Sequence, residues 1–254
     1  MNSIGAMHYL LDVGILPEEN ISVDEYPYSL PVCRHLLHNT IEFHPQVTFF
    51  IGENGAGKST FLEALATATG FNPEGGSINF NFSTRSSHSS LYENLVLNKG
   101  VRRPKDGFFL RAESFFNVAT EIERMDAIPA GAPPVINSYG GNSLHEQSHG
   151  ESFMTLLTER FRGNGLYILD EPEAALSPNR QMALLAGMHS LVRNNSQFII
   201  ATHSPIIMAY PHAVIYHLSD DGVSAVKYTD TEHYIVSRNF LNKHEAMIKE
   251  LLQE

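Results

Sequence analysis

Val47-Thr48-Phe49-Phe50-Ile51-Gly52-Glu53-Asn54-Gly55-Ala56-Gly57-Lys58-Ser59-Thr60 decides the fold. A β-branched and aromatic run breaks at Gly52, and residues 59–68 follow with Phe61, Leu62 and Leu65 at helical spacing, so the stretch reads strand, loop, helix. The loop matches G-x-x-x-x-G-K-[ST] in the setting that gives the pattern meaning, directly after a strand and opening a helix. Its glycines let the backbone turn N–H groups toward a polyphosphate, and the helix end adds partial positive charge. Lys58 reaches the β and γ phosphates, and Ser59 ligates Mg²⁺. Gly52, Glu53, Asn54, Gly55, Ala56, Gly57, Lys58, Ser59 and Thr60 are therefore the expected nucleoside triphosphate site.

Around this stretch the 254 residues are 43% hydrophobic and 18% charged, which predicts one extended core and a single domain over 1–254. Leu166-Tyr167-Ile168-Leu169 and Phe198-Ile199-Ile200-Ala201 are apolar on both faces, as strands of a buried parallel sheet are. Between them Ser177 caps a helix that begins at Pro178 and is expected to turn Met182, Leu185, Met188 and Val192 inward. Phe153, Leu156, Leu157 and Phe161 mark another helical face. Asp220-Asp221-Gly222 centres a hairpin within a C-terminal region of about 213–254, which ends in a helix near 243–252. Alternating strands and helices define an α/β fold with a mainly parallel sheet. Residues 71–106 read as an irregular insertion, and 130–142 as a second loop region.

The single cysteine, Cys33, excludes an intramolecular disulfide framework and a Cys-rich zinc site; it predicts a small buried hydrophobe in a reducing cytoplasm. Residues 1–15 lack the basic start of a secretory signal, and no run of 18 apolar residues would insert directly in a membrane. A net charge of −11 argues against broad attraction to DNA. The basic run through Lys99, Arg102, Arg103 and Lys105 to Arg111 is a solvated loop by default. It is also the one local place, at 99–111, for a nucleic-acid or protein partner.

The strand at 166–169 ends in Asp170-Glu171-Pro172-Glu173. In a sheet built on a phosphate loop, an aspartate closing such a strand faces Mg²⁺, and the next glutamate can orient or deprotonate the attacking water. Asp170 is the expected metal partner and Glu171 the expected catalytic base.

Adjacent acids in this order resemble the ABC-type ATPases, and three further features agree. Ala174-Ala175-Leu176-Ser177 stands where that family has its D-loop, with Ser177 in place of aspartate. The strand at 198–202 leads to His203, where the family has a histidine that contacts the γ-phosphate. Ser148-His149-Gly150-Glu151 precedes an amphipathic helix, where the family's signature belongs, although His149 and Glu151 depart from it. The resemblance is to the AAA_21-type predicted ATPases and the SMC and RecF-like branch, without a coiled-coil arm, since only a short stretch separates Glu113 from Ser148.

This resemblance implies a three-layer P-loop NTPase fold and ATP with Mg²⁺ as ligands. It implies catalysis by Glu171, His203 and Lys58, and a metal held by Ser59 and Asp170. Glu113 stands in Arg111-Ala112-Glu113-Ser114, where the family has a metal-contacting glutamine, and is the third expected metal contact; a surface ion pair with Arg111 is the plainer alternative. Ser148, Gly150 and Glu151 would contact ATP on the opposite subunit of a head-to-tail homodimer; the spacing also fits a plain capping box. The function implied is a non-transport ATP-hydrolysing switch in DNA maintenance or defence, with the ATP-binding subunit of an ABC transporter as the alternative. A third class comes from His145-Glu146-Gln147-Ser148-His149, which matches the H-E-x-x-H pattern of zinc peptidases. It needs a helix that Gly140-Gly141-Asn142 and Gly150 disfavour.

Overall fold

The computed structural model describes residues 9–16, 21–78, 89–111, 115–128 and 133–253. Its centre is a six-stranded sheet in the order β5 (Asp106–Arg111), β6 (Gly165–Asp170), β7 (Gln197–Ala201), β3 (Val47–Gly52), β8 (Val214–Ser219) and β9 (Gly222–Val226). The first five run parallel, and β9 returns antiparallel to β8 across the hairpin expected at 220–222.

β3, β6 and β7 are buried along their whole length, and the pleat sends alternate side chains to two cores. Phe49, Ile51, Tyr167, Leu169, Phe198 and Ile200 face α4 (Phe115–Asp126), α5 (His149–Thr155) and α6 (Pro178–Arg193). Phe50, Leu166, Ile168, Ile199 and Ala201 face α2 (Lys58–Thr69) and a small antiparallel sheet of β2 (Ile41–Glu42), β1 (Leu10–Ile15) and β4 (Leu95–Lys99). The result is three layers around a mainly parallel sheet, as the alternation of elements predicts.

The two sheets are clamped by Gln197. Its fully buried carboxamide accepts N–H bonds from Tyr9 and Leu10 and donates to the carbonyls of Leu10 and His44, so none of its polar capacity is wasted in the core. Cys33 lies in α1 (Pro31–Leu36), buried among apolar neighbours that push its thiol up to about 12.

Four sequence expectations change. Residues 71–106 are not irregular throughout: Gly76 bridges Phe109, and α3 (Leu91–Asn94) leads into β4; residues 79–88 lie outside the described residues. β4 hides because only Leu95 and Leu97 face inward, while Asn98 and Lys99 make the strand look polar. In α6, Met188 and Val192 are buried and Leu185 packs partly buried on the core as expected, but Met182 is exposed, and Leu184 and Leu191 complete the buried face. The last helix, α7 (Glu232–Leu252), begins well before 243; Lys243 departs from helical geometry inside it, and no α7 residue is buried to supply an apolar period. Within 130–142, Val135–Tyr139 forms a 3₁₀ turn with Tyr139 buried, and residues 129–132 lie outside the described residues.

At the amino end of β5, Asp106 accepts hydrogen bonds from Arg160 Nη1 at 2.6 Å, the Tyr167 hydroxyl at 2.7 Å and the Arg162 N–H at 3.0 Å. Burial pushes its carboxyl up, but these three donors outweigh it and hold the group below its ordinary value. Because the folded value is depressed, the stability it adds is complete above its unfolded value of about 3.9 and is lost as the pH falls through the folded value. Asp106→Ala strands the Arg160 charge and is expected to cost about 3–5 kcal/mol in urea denaturation at neutral pH. The gap from the unmodified chain should narrow below about pH 4.

Candidate functional site

β3, β7 and β6 are neighbours, so their carboxyl ends bring three loops to one edge of the sheet. Gly52 ends β3 at φ 148°, where a Cβ would sit 2.4 Å from the Leu218 carbonyl oxygen, so the loop can pass β8 only with glycine there. Gly57, left-handed at φ 91°, turns the chain into α2, and no side chain caps the first turn of that helix. Lys58 folds back under the loop: its buried Nζ donates to the carbonyls of Gly52 at 2.8 Å and Glu53 at 2.9 Å, leaving one proton uncommitted by these bonds. Burial pushes the lysine pKa down, while Glu171, Asp170 and Glu173 pull it back up. Thr60, next along α2, has its hydroxyl 3.5 Å from that of Tyr26.

Ser59 Oγ donates to Asp170 Oδ1 at 3.1 Å, and the Asp170 side belongs to the buried end of β6. Glu171 follows at φ 48° and ψ 54°, a left-handed conformation that a non-glycine residue holds at a cost of roughly 1–3 kcal/mol. Its N–H donates to the Ala201 carbonyl at 3.0 Å, which ties the turn to β7. Glu171 Oε1 lies 3.5 Å from His203 Nε2. The structure thus brings the loop 52–60, Asp170, Glu171 and His203 together. A cavity of about 650 Å³ opens between Gly52, Glu53, Asn54, Glu171, His203 and His233.

Two members of this group were not singled out from the sequence. Glu173 accepts the His203 N–H through Oε1 at 2.5 Å and the Thr202 hydroxyl through Oε2 at 2.8 Å, so it fixes the backbone that carries His203. Its signal was its place as the third acid after a buried strand. His233, on the first turn of α7, places Nε2 3.1 Å from His203 Nδ1; nothing local in the sequence marks it.

Ser148, Gly150 and Glu151 stand apart, on α5. Ser148 caps the helix in a full capping box: its hydroxyl accepts the Glu151 N–H at 3.3 Å and donates to Glu151 Oε2 at 2.7 Å, and the Ser148 N–H donates to the same oxygen at 3.0 Å. These bonds hold the Glu151 carboxyl below the usual carboxylate range. Gly150 is packed so closely on Arg180 and the Ala175 carbonyl that a Cβ would clash with both.

Glu113 lies outside the described residues; Arg111 pairs with Glu63 of α2. The H-E-x-x-H reading fails on geometry: His145 and Glu146 belong to the turn Leu144–Glu146, and His149 opens α5 beyond the Ser148 cap. The two imidazoles therefore do not share one helix face. Among the described residues no three His, Cys, Asp or Glu side chains converge to hold a metal. Arg102, Arg103 and Lys105 are exposed between β4 and β5, and no helix of the described residues is long and apolar enough to cross a membrane.

Comparison with known proteins agrees with this geometry. A family model described as an AAA domain matches residues 33–109, and one described as an AAA ATPase domain matches residues 149–208; the first spans the loop 52–60 and the second Asp170, Glu171 and His203. The hemin import ATP-binding protein HmuV of Idiomarina loihiensis is 29% identical over 186 residues, 66% of this chain and 69% of that protein. An uncharacterized ABC transporter ATP-binding protein of Haemophilus influenzae is 27% identical over 181 residues, 63% of this chain and 65% of that one. The matches thus span about two thirds of these curated relatives. The solved structure of cbiO1 from Clostridium perfringens, part of the ABC transporter complex cbiONQ, aligns over 97% of this chain and all of that chain at 18% identity, with a TM-score of 0.48. Fold, loop and family matches define a P-loop ATPase. The two AAA-type models and the similarity to ABC ATP-binding proteins support ATP hydrolysis by this chain.

Proposed function

We propose that this ATPase is a non-transport switch in which ATP closes a head-to-tail homodimer and hydrolysis opens it. The observation that carries the reading is the convergence of Lys58, Ser59, Asp170, Glu171 and His203 at one sheet edge. Ser59 Oγ and Asp170 Oδ1 are the hard oxygen donors a Mg²⁺ ion takes from protein when phosphates and water complete its shell, so they would hold it. The ion would neutralise charge developing on the β and γ phosphates. The Lys58 proton not used by the Gly52 and Glu53 carbonyls would be a third donor, to those phosphates. Glu171 orients the attacking water and accepts its proton, and His203 hydrogen-bonds the γ-phosphate.

In the closed dimer, the Ser148 hydroxyl and Gly150 N–H of one protomer meet the γ-phosphate held by its partner. Closure must exchange the Ser148–Glu151 bond for one to phosphate, with Arg180, 3.6 Å from Glu151, offsetting the carboxylate's repulsion. Ser148→Ala and Glu151→Ala each break the capping box, but only the first removes the phosphate donor. Sedimentation with ATP should show a weakened dimer for Ser148→Ala and not for Glu151→Ala; equal behaviour would reduce Ser148 to a helix cap.

The names of the two curated relatives favour a second reading, the ATP-binding subunit of a transporter. Purification from native membranes separates the two: the switch stays in the soluble fraction, whereas a transporter subunit brings a membrane protein with it. A role on DNA would be carried by the exposed Arg102 and Arg103, and stimulation of turnover by duplex DNA should then vanish in Arg102→Ala/Arg103→Ala.

A further inference from the structure

We infer that His233 is a positioning residue: it fixes the tautomer of His203 and so makes ATP hydrolysis depend on the seating of the first turn of α7. The inference rests on the reading of His203 as the γ-phosphate contact.

His203 Nδ1 and His233 Nε2 are 3.1 Å apart with the rings inclined by 50°, so one nitrogen donates and the other accepts. The second nitrogen of His203 decides which. Nε2 is buried, has no hydrogen-bond partner among the described residues, and lies 3.5 Å from the Glu171 carboxylate. A lone pair there would face negative charge, and it would face the γ-phosphate with the same repulsion. The proton therefore belongs on Nε2, which leaves Nδ1 of the neutral ring as an acceptor and makes His233 Nε2–H the donor. Burial pushes the His233 pKa down, which favours the neutral donor ring.

The arrangement parallels that of a ligating histidine whose far nitrogen is held so that the near one presents the required form. Here the requirement is the reverse of the usual one, a donor rather than a lone pair, and a second imidazole meets it.

His233 is held where it is by its own end of α7. The buried Thr231 caps the helix, accepting the Tyr234 N–H and donating to the Tyr228 carbonyl. The Tyr228 hydroxyl in turn donates to the Pro205 carbonyl at 2.9 Å, two residues beyond His203. The segment 228–233, which leads into and opens α7, is thus joined to 202–205 at two points, one of which is the histidine pair.

The test compares His233→Phe, which keeps the ring and loses the donor, with His233→Gln, whose amide N–H can reach the same nitrogen. His233→Phe should lower kcat about 10–100-fold while the KM for ATP stays within about twofold, and His233→Gln should restore most of the rate. In a His203→Ala background, His233→Phe should add no further loss. Ring-nitrogen NMR of the unsubstituted protein should show His203 protonated on Nε2, and His233→Phe should mix its tautomers. A wild-type kcat in His233→Phe, a loss in His233→Gln as deep as in His233→Phe, or a His203 protonated on Nδ1 would each overturn the inference. If His203→Ala itself turned over at the wild-type rate, the γ-phosphate role of His203 would fall instead, which is a separate result.

Discussion

Glu171→Gln is expected to lower steady-state ATP turnover about 10²–10⁴-fold while leaving ATP binding unchanged. Gln has the same length and shape, so the left-handed turn at Glu171 and the bond from its N–H to Ala201 persist. What is lost is the basic oxygen 3.5 Å from His203, the only change at an edge where Lys58, Ser59 and Asp170 keep their contacts. The measurement is phosphate release alongside equilibrium binding of a fluorescent ATP analogue. Turnover at the wild-type rate would remove Glu171 from its proposed role.

Lys58→Ala is expected to fail one step earlier. Two of the three Nζ protons brace the loop through Gly52 and Glu53, so the lysine both shapes the phosphate cradle and charges it. Its removal leaves those carbonyls without their donor and takes a charge-assisted bond from the phosphates, a loss of roughly 3 kcal/mol or about 100-fold in Kd. Calorimetric titration with ATP and Mg²⁺ should show weak or no binding. Turnover falls in both variants, and only the binding measurement separates them.

What could be read from the sequence divides along contact range. The loop 52–60, the buried strands and the acids after 169 are local patterns, and each lands where its period places it, because a two-sided apolar strand has no place but the middle of a sheet. Adjacency in the sheet then joins Ser59 to Asp170 across more than a hundred positions, as the phosphate loop and an aspartate closing a buried strand together anticipate. Glu173 and His233 escaped because each acts on His203 from 30 residues away, one as a carboxylate under a backbone N–H and the other as a lone histidine on a helix with no buried residue. α4 carries a helical period in Phe115, Val118, Ala119 and Ile122 that the sequence analysis does not use. The capping box at Ser148 shows the opposite case: the plain structural reading holds in the isolated chain, and the phosphate role proposed for the same hydroxyl requires that bond to be exchanged.

The central claim, that bound ATP closes a homodimer which hydrolysis reopens, is tested most directly by size-exclusion chromatography of Glu171→Gln with and without ATP and Mg²⁺. The account expects a monomer without nucleotide and a stable dimer with it, held because the step that opens it is blocked. A chain that elutes as a monomer in both conditions, while binding ATP normally, would contradict it.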